Sequence, residues 1–118
     1  QHPTCDMGAI GKCSGIDFKK MAYSVSQLDG GVFLNFGSAV IGPEVFLKTL
    51  SIARNLGYPT FNITTANFDL VRLGNFRCKI GYENIVNRPT CRGGWGWHFE
   101  GDHQITIPTL YDKLKEQL

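Results

Sequence analysis

With 118 residues, 42% hydrophobic and 19% charged, the chain has the size and make-up of one globular domain and not of a disordered segment. A formal charge of +2 gives no bulk electrostatic case for a nucleic-acid or membrane-surface partner. No apolar run approaches the roughly 18 residues a membrane span needs, and the opening Gln1-His2-Pro3 lacks the form of a secretory signal.

The first predicted element is a helix over 16–28 with Ser14 as its N-cap, because Phe18, Met21, Ala22, Val25 and Leu28 recur on one side at helical spacing. Asp29-Gly30-Gly31 breaks it and leads into a strand over 32–36. That strand is apolar on both sides of its pleat more than it alternates, as in a parallel sheet covered on two faces. Gly37, Ser38 and Gly42 follow, and then Pro43, which predicts a helix start because its missing N–H costs nothing there. The helix runs to Gly57, with Phe46, Thr49, Leu50, Ala53 and Leu56 as the packed face and Glu44 paired with Lys48 on the wet one. Pro59 leads into β-branched residues over 60–65, the second predicted strand.

Residues 31–65 thus read as one βαβ unit with a right-handed crossover. The stretch 66–96 is weakly periodic and reads as a long loop, and a last helix is predicted over 107–118 with Ile107, Leu110, Tyr111, Leu114 and Leu118 on one face. Three helices against two strands leave a sheet that cannot bury its faces and edges. Either 66–96 hides further strands, or the sheet is completed by other residues; the second reading is preferred. The fold class is α/β, a partial doubly wound, Rossmann-like parallel sheet with flanking helices.

Small residues between a strand and a helix N-terminus let backbone N–H groups approach an anion, so Gly37, Ser38 and Gly42 are candidates to cradle a phosphate. Tight packing is the structural alternative, with even standing. Thr65, Ala66, Asn67 and Asp69 fall at a strand's carboxyl end, where ligands of open sheets gather. Asp69 suits a sugar hydroxyl or the capping of a turn. Gly93-Gly94-Trp95-Gly96-Trp97 has the composition of a loop that stacks on a planar ring, with Trp95 as the stacking residue; core plugging is the alternative.

Cys5, Cys13, Cys78 and Cys91 are separated by seven and twelve residues within each near pair, whereas zinc pairs favour about two to four, so no metal is expected; reduced thiols are preferred, since the apolar content suffices for a core, with two disulfides of a secreted domain as the alternative. His98, Glu100, Asp102 and His103 carry ligand-type side chains without a spacing that fixes geometry. Asn62-Ile63-Thr64 matches a glycosylation acceptor inside an expected strand, where chance is the better account. Arg72, Arg77, Lys79, Arg88 and Arg92 form a basic stretch that fits an acidic protein surface better than nucleic acid, given the small net charge.

Three blocks resemble the C-terminal part of deoxyhypusine-synthase-like proteins, especially the bacterial group of undefined activity. They are 29–55 with its glycine turn, Thr64-Thr65-Ala66-Asn67-Phe68-Asp69, and Arg88-Pro89 through Trp95-Gly96. The resemblance covers most of 1–118, read as the C-terminal part of one such domain. It implies a nicotinamide dinucleotide (NAD) as cofactor, an N-terminal half supplied from elsewhere, and an oligomer. It implies no deoxyhypusine synthesis by this chain. The synthase lysine after Trp-Gly forms an imine with the aminobutyl group, and Trp97, at that place here, has no basic amine. The synthase histidine after the glycine turn is replaced by the Gly42-Pro43-Glu44 region.

The expected function is a dinucleotide- or nucleotide-type ligand-binding portion of such a protein. The alternative is a non-catalytic subunit that keeps the fold for docking on another chain. An intracellular, cytoplasmic setting is expected, with an organelle as the alternative.

Overall fold

The computed structural model describes residues 2–71 and 85–118. In chain order the elements are α1 (Met7–Ser26), β1 (Val32–Phe36), α2 (Ile41–Asn55), β2 (Thr64–Asp69), β3 (Trp95–Glu100) and α3 (His103–Lys115). The fold is α/β. The three strands form one parallel sheet in the order β1-β2-β3.

The first helix starts nine residues earlier than the apolar spacing predicts. Asp6 caps it, its carboxylate accepting from the Ala9 N–H at 3.0 Å, and Ser14 lies inside the helix. Gly8, Gly11 and Gly15 lower the helix propensity of this half by about 1 kcal/mol each, which hid it from a reading based on periodicity. The predicted apolar face turns inward, with Phe18, Met21, Ala22 and Leu28 half-buried. Val25 is buried, and Met21 and Leu28 pack against the core.

β1 lies where the sequence puts it, and β1, α2 and β2 form the expected parallel βαβ unit. Pro43 sits in the first turn of α2, two residues after its start. Phe46, Thr49, Leu50 and Ala53 are buried as expected, whereas Leu56 at the C-cap is exposed. Gly57 takes the left-handed conformation at φ +87°. The second strand is displaced four residues from 60–65 to Thr64–Asp69. Its expected start is spent on tying the chain down: the Thr60 carbonyl accepts from Arg54 at 2.8 Å, and the Asn62 N–H donates to the Asp29 carboxylate at 3.1 Å.

β3 corrects the loop reading of 66–96. Trp95-Gly96-Trp97-His98-Phe99-Glu100 alternates across the pleat in register with β2, from Thr64 opposite Trp95 to Asp69 opposite Glu100. Its glycines permit a close approach. A side chain at position 96 would run into the Val86 carbonyl oxygen, so the buried Ile85-Val86 segment lies flush against the strand. α3 begins four residues before the expected 107, because Asp102 caps it by accepting from the Gln104 N–H at 2.8 Å, and Pro108 is accommodated inside the helix. None of its side chains is fully buried.

Strand alternation sorts the sheet into two faces. Phe33, Asn35, Thr65, Asn67, Gly96 and His98 fall on the face that packs on α2. Phe33 stacks on Phe46 of α2 at 3.7 Å between ring centres, and the core of Val25, Phe46, Leu50, Ala53, Ile63, Ile85 and Val86 gathers there. The other face carries three rows: Val32, Thr64, Trp95; Leu34, Ala66, Trp97; Phe36, Phe68, Phe99. No charged residue stands in these rows. Trp95 is 68% exposed, Trp97 44% and Phe99 45%, and Val32 and Leu34 are exposed beside them. Ala66 and Phe68 in the middle of this face are buried and Phe36 meets His103 of α3, but the rest of the face, normally covered in a parallel sheet, is open among the described residues.

Candidate functional site

Each described strand carries a polar residue followed by phenylalanine near its carboxyl end: Asn35-Phe36, Asn67-Phe68 and His98-Phe99. The register aligns them. The phenylalanines stack across the open face, with ring centres 4.4 Å apart for Phe36 and Phe68 and 4.9 Å for Phe68 and Phe99. The polar partners form a row on the helix face. Asn35 Nδ2 lies 2.6 Å from Asn67 Oδ1, and Asn67 Nδ2 lies 3.1 Å from His98 Nδ1. Asn35 and Asn67 are each 5% exposed. Leaving one such buried amide group unpaired would cost about 1–3 kcal/mol, so the row specifies this register as well as stabilising it.

The row ends at the glycine turn. Asn35 Nδ2 also donates to the Ser38 carbonyl at 2.7 Å, and the Ser38 hydroxyl accepts from the Gly42 N–H at 2.9 Å. Val40, at the N-cap position of α2, contributes no side-chain cap, so Ser38 serves that end of the helix. A side chain at Gly42 would meet Ser38 Oγ at 2.8 Å and Asn35 Oδ1 at 3.0 Å. Gly37 adopts φ +63°, and its N–H donates to the Phe68 carbonyl at 3.0 Å.

Gly37, Ser38, Gly42 and Asn67 therefore come together, as the sequence suggests. Asp69 ends β2, where its carboxylate accepts from the Val71 N–H at 3.2 Å: it caps a turn. Thr65 is fully buried one row deeper than Asn67, and its hydroxyl has no hydrogen-bond partner. Ala66 points to the open face between Leu34 and Trp97. Trp95 stands at the amino end of β3, three residues and about 10 Å of strand from the row that leads to the turn. Neither Ala66 nor Trp95 shares the polar surface of the glycine turn.

Asn35 is absent from the candidates derived from sequence, although a lone amide in an otherwise apolar strand was a usable signal. His98 was considered only as a metal ligand, and the repeated polar-Phe pair would have revealed its place. His103, in the first turn of α3, closes the corner from the far side. Its Nε2 would lie 3.0 Å from a side chain on Gly37, its ring meets Phe36 edge-on at 6.0 Å, and its Nδ1 and the Thr106 hydroxyl are buried without partners. Among the described residues no three His, Cys, Asp or Glu side chains group as a metal site.

Two further features lie along α2. A cleft of about 600 Å³ runs between Phe18 of α1 and Val40, Pro43, Leu47 and Lys48 on the outer flank of α2, with Arg88 at its rim. Arg54 donates to the Thr60 and Pro89 carbonyls at 2.8 and 2.7 Å and lies 4.6 Å above the Phe61 ring. Burial lowers its pKa, with Cys91 opposing and Arg92 reinforcing that shift. Cys5, Cys13 and Cys91 are free thiols. Arg72, Arg77, Cys78 and Lys79 lie outside the described residues. No described helix is long and apolar enough to cross a membrane.

No protein-family model, curated protein or solved structure matches this chain.

Proposed function

We propose that the chain is the dinucleotide- or nucleotide-binding portion of a deoxyhypusine-synthase-like protein, with NAD as the ligand class, and that it does not itself make deoxyhypusine. The observation that carries this reading is the buried Asn35-Asn67-His98 row, at the carboxyl end of a parallel sheet and bonded to the glycine turn before α2. Open α/β sheets bind ligands at that end, and the N-terminus of α2 favours a phosphate there. The Ser38 hydroxyl accepts from Gly42 and keeps its own proton to donate to a ligand oxygen. In this reading the remaining strands of a Rossmann-like layer come from residues outside the chain. The exposed thiols of Cys13 and Cys91 suit a reducing, cytoplasmic setting.

Calorimetric titration with oxidised and reduced NAD, read together with backbone amide shifts, tests the reading. Binding with shifts centred on Gly37, Ser38, Gly42 and Asn67 supports it. The absence of both heat and shifts at millimolar dinucleotide refutes it. Tryptophan quenching is a poor probe, since Trp95 and Trp97 stand on the opposite face.

The open apolar face favours a second reading, a structural subunit that docks this face on another chain or on the other half of its own domain. Sedimentation of the isolated chain separates the two. Self-association or co-purification with a partner supports docking, and a monomer that stays dispersed at high concentration counts against it.

A further inference from the structure

The Ser38 carbonyl can only accept, so the Asn35 atom 2.7 Å from it is the amide nitrogen. That same nitrogen lies 2.6 Å from the side chain of Asn67, so the Asn67 atom facing it is the oxygen. The Asn67 nitrogen must then face His98, and it meets Nδ1 at 3.1 Å. An amide nitrogen only donates, so Nδ1 must accept. One carbonyl in the glycine turn thus dictates the orientation of two amides and, two strands away, the tautomer of an imidazole.

We infer that His98 is a positioning residue of the glycine corner, held as the Nε2–H tautomer by this one-way chain of hydrogen bonds and in turn holding Asn67, Asn35 and the Ser38 turn in place. The inference deepens the proposed ligand site and rests on it for its functional meaning. Its structural content stands by itself. Asn35 has spent both N–H groups inside the chain, on Ser38 and Asn67, and turns its Oδ1 towards Gly42. Were position 98 to present a donor, Asn67 would have to turn its oxygen to β3 and its nitrogen to Asn35. Two amide nitrogens would then face one another, and the link from Asn35 to the turn would have to break. Buried residues at 5% exposure have no water to take up the loss.

The test uses nitrogen-15 spectra of the whole chain without ligand. His98 is expected to show an unprotonated Nδ1 and a protonated Nε2. Asn67→Asp, which matches the native shape, replaces the donor facing His98 by an acceptor and is expected to move the proton to Nδ1. His98→Gln offers an oxygen to Asn67 and should leave the Gly37, Ser38 and Gly42 amide signals close to their native positions. His98→Lys offers only donors and should displace them. If the His98→Lys protein does not fold, the tautomer change in Asn67→Asp still decides the matter.

A native Nδ1–H tautomer, or one that Asn67→Asp leaves unchanged, overturns the inference. Dinucleotide titration is then a separate arm: His98→Lys should weaken binding about tenfold or more and His98→Gln much less, the size expected for one lost buried hydrogen bond. Native protein that shows the expected tautomer but binds no dinucleotide refutes the ligand reading alone.

Discussion

Gly42→Ala puts the construction of the glycine corner to a quantitative test. The added methyl would lie 2.8 Å from Ser38 Oγ, 3.1 Å from Ser38 Cβ and 3.0 Å from Asn35 Oδ1. Two side chains must give way, and each is engaged. Rotating Ser38 forfeits the hydrogen bond from the Gly42 N–H, a capping interaction worth about 1 kcal/mol. Moving Asn35 strains its bonds to the Ser38 carbonyl and Asn67, and forced fits of this kind cost about 1–3 kcal/mol. Against this stands the better helix propensity of alanine, about 1 kcal/mol at most and less in a first turn. A net loss of about 1–3 kcal/mol follows, or a melting temperature lower by roughly 4–12 °C in a domain of this size. Gly11→Ala in α1 is the control, with nothing within 4 Å of the new methyl and an expected gain of about 0.5–1 kcal/mol. Urea unfolding of the three proteins gives both numbers. A Gly42→Ala protein as stable as the native one, beside a normal Gly11→Ala, would show that Ser38 and Asn35 do not close this corner.

Gly96→Ala should cost more than about 3 kcal/mol, because the methyl meets the Val86 backbone and relief requires lifting the buried Ile85-Val86 segment; circular dichroism and solubility read the loss, and native-like stability refutes it. Arg54→Ala removes bonds to the Thr60 and Pro89 carbonyls and the stacking on Phe61, an expected 2–3 kcal/mol by denaturant titration, where a change under 0.5 would disprove the clamp. Thr65→Val replaces a buried hydroxyl without a partner and should leave the protein equally or more stable by up to about 1–2 kcal/mol; a large loss in thermal unfolding would mean that the hydroxyl is bonded. Acrylamide should quench the fluorescence of Trp95, and less fully that of the half-exposed Trp97, in the isolated chain, whereas strong shielding of both would mean that the open face is covered.

Legibility in the sequence followed the kind of signal. β1 and the βαβ unit were readable because turn residues bracket them, and α2 because its caps agree with its apolar face. The first half of α1 was not, since its glycines and largely exposed side chains give periodicity nothing to report, and only Asp6 marks its start. β3 was lost among glycines, since Gly94, just before it, lies against the Ile63 backbone and Gly96, within it, against that of Val86, a tertiary contact that no local window contains. For the candidate site, glycines before a proline-bearing helix pointed to the corner where the polar row ends. Trp95 was misplaced with them because a strand read as a loop has no register. Asn35 and His98 needed that register to become neighbours, although the recurrence of a polar residue before phenylalanine at each strand end was visible throughout.

That recurrence also joins the two functional readings. Side chains alternate along a strand, so each Asn-Phe or His-Phe pair sends its polar member under α2 and its aromatic member to the open face. A slip of one residue in any strand would put an amide on the open face and a phenylalanine into the row beside the glycine turn. The stacked Phe36, Phe68 and Phe99, each contact worth about 0.5–1.5 kcal/mol beyond its buried area, hold the register in which Asn35, Asn67 and His98 can bond. Whatever covers the open face adds burial to this ladder and so penalises the slip further. A docking partner on one side of the sheet and a ligand at the glycine turn on the other would therefore favour the same register, and binding of either should strengthen binding of the other.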